Sequence, residues 1–172
     1  SIAERLGEKF TVIVNKSTVP IGSGNWVEMI IQEQFKHNHN NGEKADFNVV
    51  SSPEFLAQGS AMHDSFYPDR IVIGSQCERS VTRLRELFAP LTRQDFDPPA
   101  GLPRPEDLTQ VPLLVCDLTS AEMIKYAANA FLALKISYVN EIGRLASKLG
   151  ADIQSVARGI GLDKRIGNRF LN

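Results

Sequence analysis

The chain carries almost no net charge, few cysteines, few histidines and no long apolar run, and each shortage excludes something. Lys and Arg number 19 against 20 Asp and Glu, a formal net charge of -1. Such a surface exerts no long-range pull on nucleic acid or on an acidic membrane. Its basic residues are mixed with acids, as in Arg83-Leu84-Arg85-Glu86. No apolar run is long enough to cross a bilayer, and the first residues carry no secretory pattern. Two cysteines, Cys77 and Cys116, build no disulfide framework and share no metal-ligand spacing. Cys116 ends the apolar run 112–116 and is expected to be a buried structural thiol, while Cys77 follows a strand and is expected in a loop. His37 and His39 lie in a stretch that imitates a metal tract, but with no third ligand in view it reads as a solvated turn. These features predict a reducing, cytoplasmic setting, no membrane, no nucleic-acid partner and no metal.

What is present is a globular composition, 42% hydrophobic and 23% charged over 172 residues. That length suits one domain, or a domain and part of another. Residues 10–15, 46–51, 70–74 and 111–116 are β-type runs, and residues 26–35 and 80–88 have helical spacing. This alternation predicts an α/β domain with a largely parallel sheet. Between Ala89 and Pro112 the chain is rich in proline (Pro90, Pro98, Pro99, Pro103, Pro105) and reads as an irregular loop between two differently built regions. A long helix is then predicted from Ser120 to Leu149, opened by a capping box of Thr119 and Glu122 and stopped at Gly150. It would be roughly 45 Å long at the standard rise. A helix of that length more often links two domains or forms a subunit contact. Asp152 opens a shorter helix to about Ile160. The expected division is 1–117 for the sheet domain and 118–172 for the start of a helical one.

Three places carry polar residues suited to chemistry. In an open parallel sheet, ligands bind beyond the carboxyl ends of the strands. Lys16-Ser17-Thr18-Val19-Pro20-Ile21-Gly22 follows the first strand and offers two hydroxyls in a turn stiffened by Pro20. Ser52-Pro53-Glu54-Phe55-Leu56-Ala57-Gln58-Gly59 follows the second. There Glu54 stands beside apolar Phe55 and Leu56, where loss of water would suit a general base. Lys125 and Asn129, four apart on the long helix, share a face otherwise made small and apolar by Ala121, Ala128 and Leu132. Each place also has an ordinary structural reading: a Ser/Thr-capped turn, a helix-terminal acid, a solvated Lys with a satisfied Asn. Taken singly, the first and third are better described that way.

Taken together and in order, five motifs resemble the nucleotide-sugar 6-dehydrogenases, the UDP-glucose/GDP-mannose dehydrogenase family. They are Lys-Ser-Thr-Val-Pro, Pro-Glu-Phe-Leu, Pro-Asp-Arg-Ile-Val-Ile-Gly, Ser-Ala-Glu-Met-Ile-Lys-Tyr-Ala-Ala-Asn-Ala-Phe-Leu-Ala and Asp-Lys-Arg-Ile-Gly, running from Lys16 almost to the end. The resemblance implies NAD as cofactor and a two-step oxidation of UDP-glucose to UDP-glucuronate. In the family a cysteine captures the intermediate aldehyde as a thiohemiacetal, which is oxidised to a thioester and hydrolysed. It also implies that Ser17, Thr18 and Val19 line the NAD site and that Thr18 helps hold the catalytic water. Glu54 would be a general base, Lys125 would stabilise the developing oxyanion, and Asn129 would hydrogen-bond the same oxygen or the water. Phe55 and Leu56 would contact the sugar nucleotide through their backbone. Gln58 departs from the Glu common in the family, which removes a charge near the cofactor but keeps an acceptor.

Two parts of such an enzyme are missing. No Gly-x-Gly-x-x-Gly precedes the first strand, and the chain stops before the point where the family places its Gly-rich cysteine loop. Neither Cys77 nor Cys116 is assigned as that nucleophile. The chain therefore reads as an internal piece, the second half of a Rossmann-like parallel sheet followed by the long helix of an all-α central domain. It is expected to be inactive alone and to dimerise through the 120–149 helix. The alternatives are a dehydrogenase of GDP-mannose or of a UDP-N-acetyl-hexosamine, or a non-catalytic dimerisation or binding module.

Overall fold

The computed structural model describes residues 1–7, 9–38 and 45–171. Packing divides the chain into two compact units, Ser1–Lys125 and Tyr126–Asn172. The first holds strands β1 (Thr11–Asn15), β2 (Phe47–Ser51), β3 (Ile71–Gly74) and β4 (Leu113–Cys116), in that spatial order. β1 and β2 are parallel, as are β3 and β4. β2 meets β3 antiparallel, through the single pair Ser51 and Gly74. The sheet is thus two parallel pairs joined at one antiparallel junction.

Helices α1 (Ser23–Asn38) and α3 (Glu78–Arg93) cover its two faces. Side chains alternate along a strand, so each strand feeds both layers. Phe47 and Val49 of β2, with Ile13 of β1, pack on Ile31 and Phe35 of α1. Val50 of β2, with Val12 and Val14 of β1, packs with Ile73 against Val81 and Leu84 of α3. Burial on both faces explains the continuous apolar runs. A short helix α2 (Ala61–Phe66) lies between β2 and β3.

α3 passes its expected end at Phe88 and takes in Pro90. Proline removes one ladder hydrogen bond there, but the last turn is held from outside. Gln94 caps it in the left-handed region (φ 53°), and the Asp95 N–H donates to the Pro90 carbonyl at 2.9 Å. The Gln94 side-chain amide also donates to the Leu91 and Phe66 carbonyls, at 2.8 and 3.2 Å. The proline-rich loop is thereby shortened to 94–112. It is anchored by the Tyr67 hydroxyl on the Leu102 carbonyl (2.7 Å) and by Arg104 on the Phe96 carbonyl (2.6 Å).

α4 (Leu118–Leu149) is one continuous helix of 32 residues that runs through Gly143. It opens differently from the expected capping box. Asp117 is the cap, accepting from the Ser120 N–H at 2.8 Å and the Ser120 hydroxyl at 2.6 Å. Glu122 is turned away to another helix. α4 stops as expected at Gly150 (φ 73°), where the Ala151 N–H returns to the Ala146 carbonyl at 3.0 Å. A Cβ at Gly74 would collide with the Ala121 side chain, so glycine there permits the close approach of β3 to α4.

The second unit contains the rest of α4 and α5 (Ile153–Gly161). Asp152 caps α5, accepting from Gln154 N–H and Ser155 N–H. Val139, Ala146 and Leu171 are buried in this unit. Two local expectations are corrected. His37 lies in the last turn of α1 rather than in a loop, and His39 falls outside the described residues. Cys116 is half-buried rather than buried, because β4 is only partly covered.

Candidate functional site

The first two candidate segments leave the sheet side by side. Asn15 and Ser51, the last residues of β1 and β2, are paired in register. The Ser52 N–H then donates to the Asn15 carbonyl at 2.9 Å. Residues 16–22 and 52–59 therefore start from the same end of two parallel strands, where ligands of such sheets bind. Ser17 and Thr18 are exposed and Val19 is half-buried. Phe55 is half-buried, while Glu54, Leu56 and Gln58 are exposed. The desolvation anticipated for the Glu54 carboxylate is thus absent, since its apolar neighbours in sequence do not enclose it.

α4 brings Lys125 to this place. The side chain is 8% exposed, and its Nζ lies 5.2 Å from the centre of the Phe55 ring. The Arg70 guanidinium, just before β3, stacks on the same ring at 3.8 Å. Two cations share one aromatic ring, and the ring quadrupole attracts each of them. Among the described residues no carboxylate forms an ion pair with either. A nearly buried ammonium without a counter-ion is suited to meet negative charge on a ligand. Asn129, one turn further along α4, is exposed.

Glu122 is the residue whose role local sequence hides. It is 3% exposed, and its two carboxylate oxygens accept from Gly22 N–H at 2.6 Å and Gly24 N–H at 2.8 Å. Those amides belong to the start of α1, whose first N–H groups have no partner within the helix. The negative charge also suits the positive end of the helix dipole. Hydrogen bonds to a charged group contribute about 1.5–3 kcal/mol each. The signal that could have found it is its position three residues before Lys125, on the same inward face.

A second carboxylate shapes the other segment. Asp64 of α2 accepts from the Ala57 N–H at 2.8 Å and the Ser60 hydroxyl at 2.9 Å, closing the turn that follows Glu54 to Leu56. Burial works to raise the Asp64 carboxyl, but the Ala57 amide, the Ser60 hydroxyl and His63 outweigh it and hold it below its ordinary value of 3.8. A depressed folded value means that Asp64 stabilises the turn fully above the ordinary value. That contribution is lost as the pH falls further, through the folded one. We expect the Ala57 amide in Asp64→Ala to exchange at least about tenfold faster at neutral pH, the loss of one charge-assisted bond. Hydrogen exchange read by NMR checks this. An unchanged Ala57 rate would mean that the turn holds without Asp64.

The cysteines stand elsewhere. Cys77 precedes α3 beside a polar cavity of about 310 Å³, lined also by Asn25, Glu28, Asn48 and Ser75. The hydroxyls of Ser75 and Ser80 both donate to the Asn48 side-chain oxygen at 2.8 Å. Burial works to raise the Cys77 thiol, but the Ser80 hydroxyl, the Ser80 and Arg79 amides and the Arg79 charge together hold it below its ordinary value. Burial, then the Asp117 charge, push the Cys116 thiol up. Among the described residues no three His, Cys, Asp or Glu side chains gather as a metal site.

The donor set at the end of β1 and β2 fits part of a dinucleotide and a sugar. It offers exposed hydroxyls on Ser17 and Thr18, exposed amide and carboxylate groups on Gln58 and Glu54, and the nearly buried ammonium of Lys125, which has no carboxylate ion pair among the described residues. The start of α1, an ordinary place for a phosphate, is already filled by the Glu122 carboxylate.

Comparison with known proteins finds one family over both parts of the chain. Residues 1–92 match the UDP-glucose/GDP-mannose dehydrogenase family, NAD binding domain, and residues 119–172 match the central domain of the same family. UDP-glucose 6-dehydrogenase of Rhizobium meliloti is 48% identical over 163 residues, 95% of this chain and 33% of that protein. UDP-glucose 6-dehydrogenase YwqF of Bacillus subtilis is 45% identical over 161 residues, 94% of this chain and 31% of that protein. Among solved structures, a UDP-glucose dehydrogenase from Pyrobaculum islandicum superposes with a TM-score of 0.76 at 38% identity, over 99% of this chain and 33% of that one. The chain thus spans about a third of the length of the relatives it matches.

Proposed function

The chain belongs to the UDP-glucose/GDP-mannose dehydrogenase family, and on that footing we propose that it is the middle part of an NAD-dependent enzyme oxidising UDP-glucose to UDP-glucuronate. The observation that carries this reading is the nearly buried Lys125, which among the described residues has no carboxylate ion pair and lies over the ring of Phe55, next to Glu54 in the segment after β2. NAD, when bound, would supply the hydride acceptor for both oxidation steps. The chain's own groups bind, orient and move protons. Ser17, Thr18, Val19 and Gln58 contact the cofactor, and Thr18 also holds the water used in hydrolysis. Glu54 removes a proton, from the hydroxyl or from that water. Lys125 meets the oxyanion that develops at the reacting carbon, with Asn129 as its hydrogen-bonding neighbour. Phe55 and Leu56 present their backbone to the sugar nucleotide. Residues 1–117 serve as the second half of the cofactor domain, and residues 118–172 begin the helical one.

We also read α4 as a homodimer contact. Phe131, Leu134, Tyr138, Leu145 and Leu149 recur at three-, four- and seven-residue spacings and all are exposed, the pattern of a helix seam. Among the described residues no helix is long and apolar enough to cross a membrane, and the two free thiols suit a reducing cytoplasm.

A substrate panel on the full-length protein tests the reading, following NADH with UDP-glucose, GDP-mannose and UDP-N-acetylmannosamine. Turnover is expected with UDP-glucose above the other two, and none from the 172-residue chain alone. Preference for either competitor would replace UDP-glucose in this reading. No turnover with any of the three would favour a non-catalytic module.

A further inference from the structure

We infer that Glu122 is a positioning residue that fixes the loop of Ser17, Thr18 and Val19 from the helix carrying Lys125, an inference that rests on the proposed function. Three observations carry it. Glu122 is buried, yet both of its oxygens are spent on backbone N–H groups of a different element, Gly22 and Gly24. Those groups lie where the loop ends and α1 begins, so the carboxylate sets where residues 16–22 close. The contact is tight, because a Cβ on Gly24 would meet Leu118 of α4 within 3.0 Å. Glu122 precedes Lys125 by one helical turn, so one rigid helix sets both the loop and the ammonium over Phe55.

A second consequence follows for the ligand. The α1 N-terminus is a natural anion site, and here a side chain of the protein occupies it. A cofactor on this loop must then be held by the loop's hydroxyls and backbone and not by the α1 dipole. Removing Glu122 frees the two amides and loosens the loop.

The test uses the full-length protein with Glu122→Ala and Glu122→Gln, and reads the NAD dissociation constant by calorimetry alongside KM for NAD, KM for UDP-glucose and Tm. Loops misplaced by about an ångström cost up to roughly a hundredfold. We expect Glu122→Ala to weaken NAD at least about tenfold, with KM for UDP-glucose shifting far less. Glu122→Gln keeps one acceptor oxygen for one of the two amides and should fall between Ala and the parent. If Glu122→Ala fails to fold, Glu122→Gln alone decides, through its NAD constant against its KM for UDP-glucose. A lower Tm with an unchanged NAD constant would reduce Glu122 to a packing residue and overturn the inference. A parent protein that binds NAD but oxidises no nucleotide sugar would defeat the proposed function and leave the NAD constants to judge Glu122 separately.

Discussion

Replacing Lys125 by Met in the full-length protein is expected to cut kcat by about a hundred- to a thousandfold, the usual cost of removing one donor from an oxyanion site. Methionine keeps the length and the apolar stem of the side chain, so it still packs on Phe55. The stability of the fold should not fall. Lys125 is only 8% exposed and has no carboxylate partner among the described residues, so its charge is not offset by an ion pair in the free protein. A residue that helps catalysis while contributing little to stability is the pattern expected of a site adapted to a transition state. A solvated surface lysine would leave turnover unchanged as well as Tm. The two outcomes are separated by measuring kcat and Tm on one preparation, and normal turnover in Lys125→Met would remove Lys125 from the chemistry.

Glu54→Gln should lower kcat by about a hundred- to ten-thousandfold, the span associated with general bases. The amide matches the carboxylate in shape but cannot take a proton. KM for UDP-glucose should change little, because the substrate contacts proposed for this segment are through the backbone of Phe55 and Leu56. The kcat and KM of Glu54→Gln, measured side by side, check this. Glu54 is exposed in this chain, so its water must be displaced by the bound sugar nucleotide rather than by neighbouring side chains. An unchanged kcat in Glu54→Gln would assign the base to another group.

The strands were legible because runs such as Arg70-Ile-Val-Ile-Gly are β-branched and bounded by turn residues. The strand-end position of Lys16 to Gly22 and of Ser52 to Gly59 followed from the parallel arrangement alone. The antiparallel junction of β2 with β3 was not legible, since it rests on one residue pair, Ser51 with Gly74, with no local pattern. The end of α3 was misplaced because Pro90 is a strong stop in sequence, whereas its last turn is held by Gln94 and Asp95 from beyond it. Thr119 and Glu122 have the spacing of a capping box, but Asp117 reaches the Ser120 amide first. Glu122 was then free to answer amides near the other end of the chain, at Gly22 and Gly24. The exposure of Glu54 and the stacking of Arg70 on Phe55 are tertiary facts of the same kind. Residue types and their order pointed to the family, and folding decided which of those residues are enclosed.

The most direct test of the central claim is the ratio of NADH formed to UDP-glucose consumed by the full-length protein. Two successive hydride transfers predict roughly two NADH for each UDP-glucose, with UDP-glucuronate as product. A ratio near one with a carbonyl product, or no NADH at all, would contradict the account.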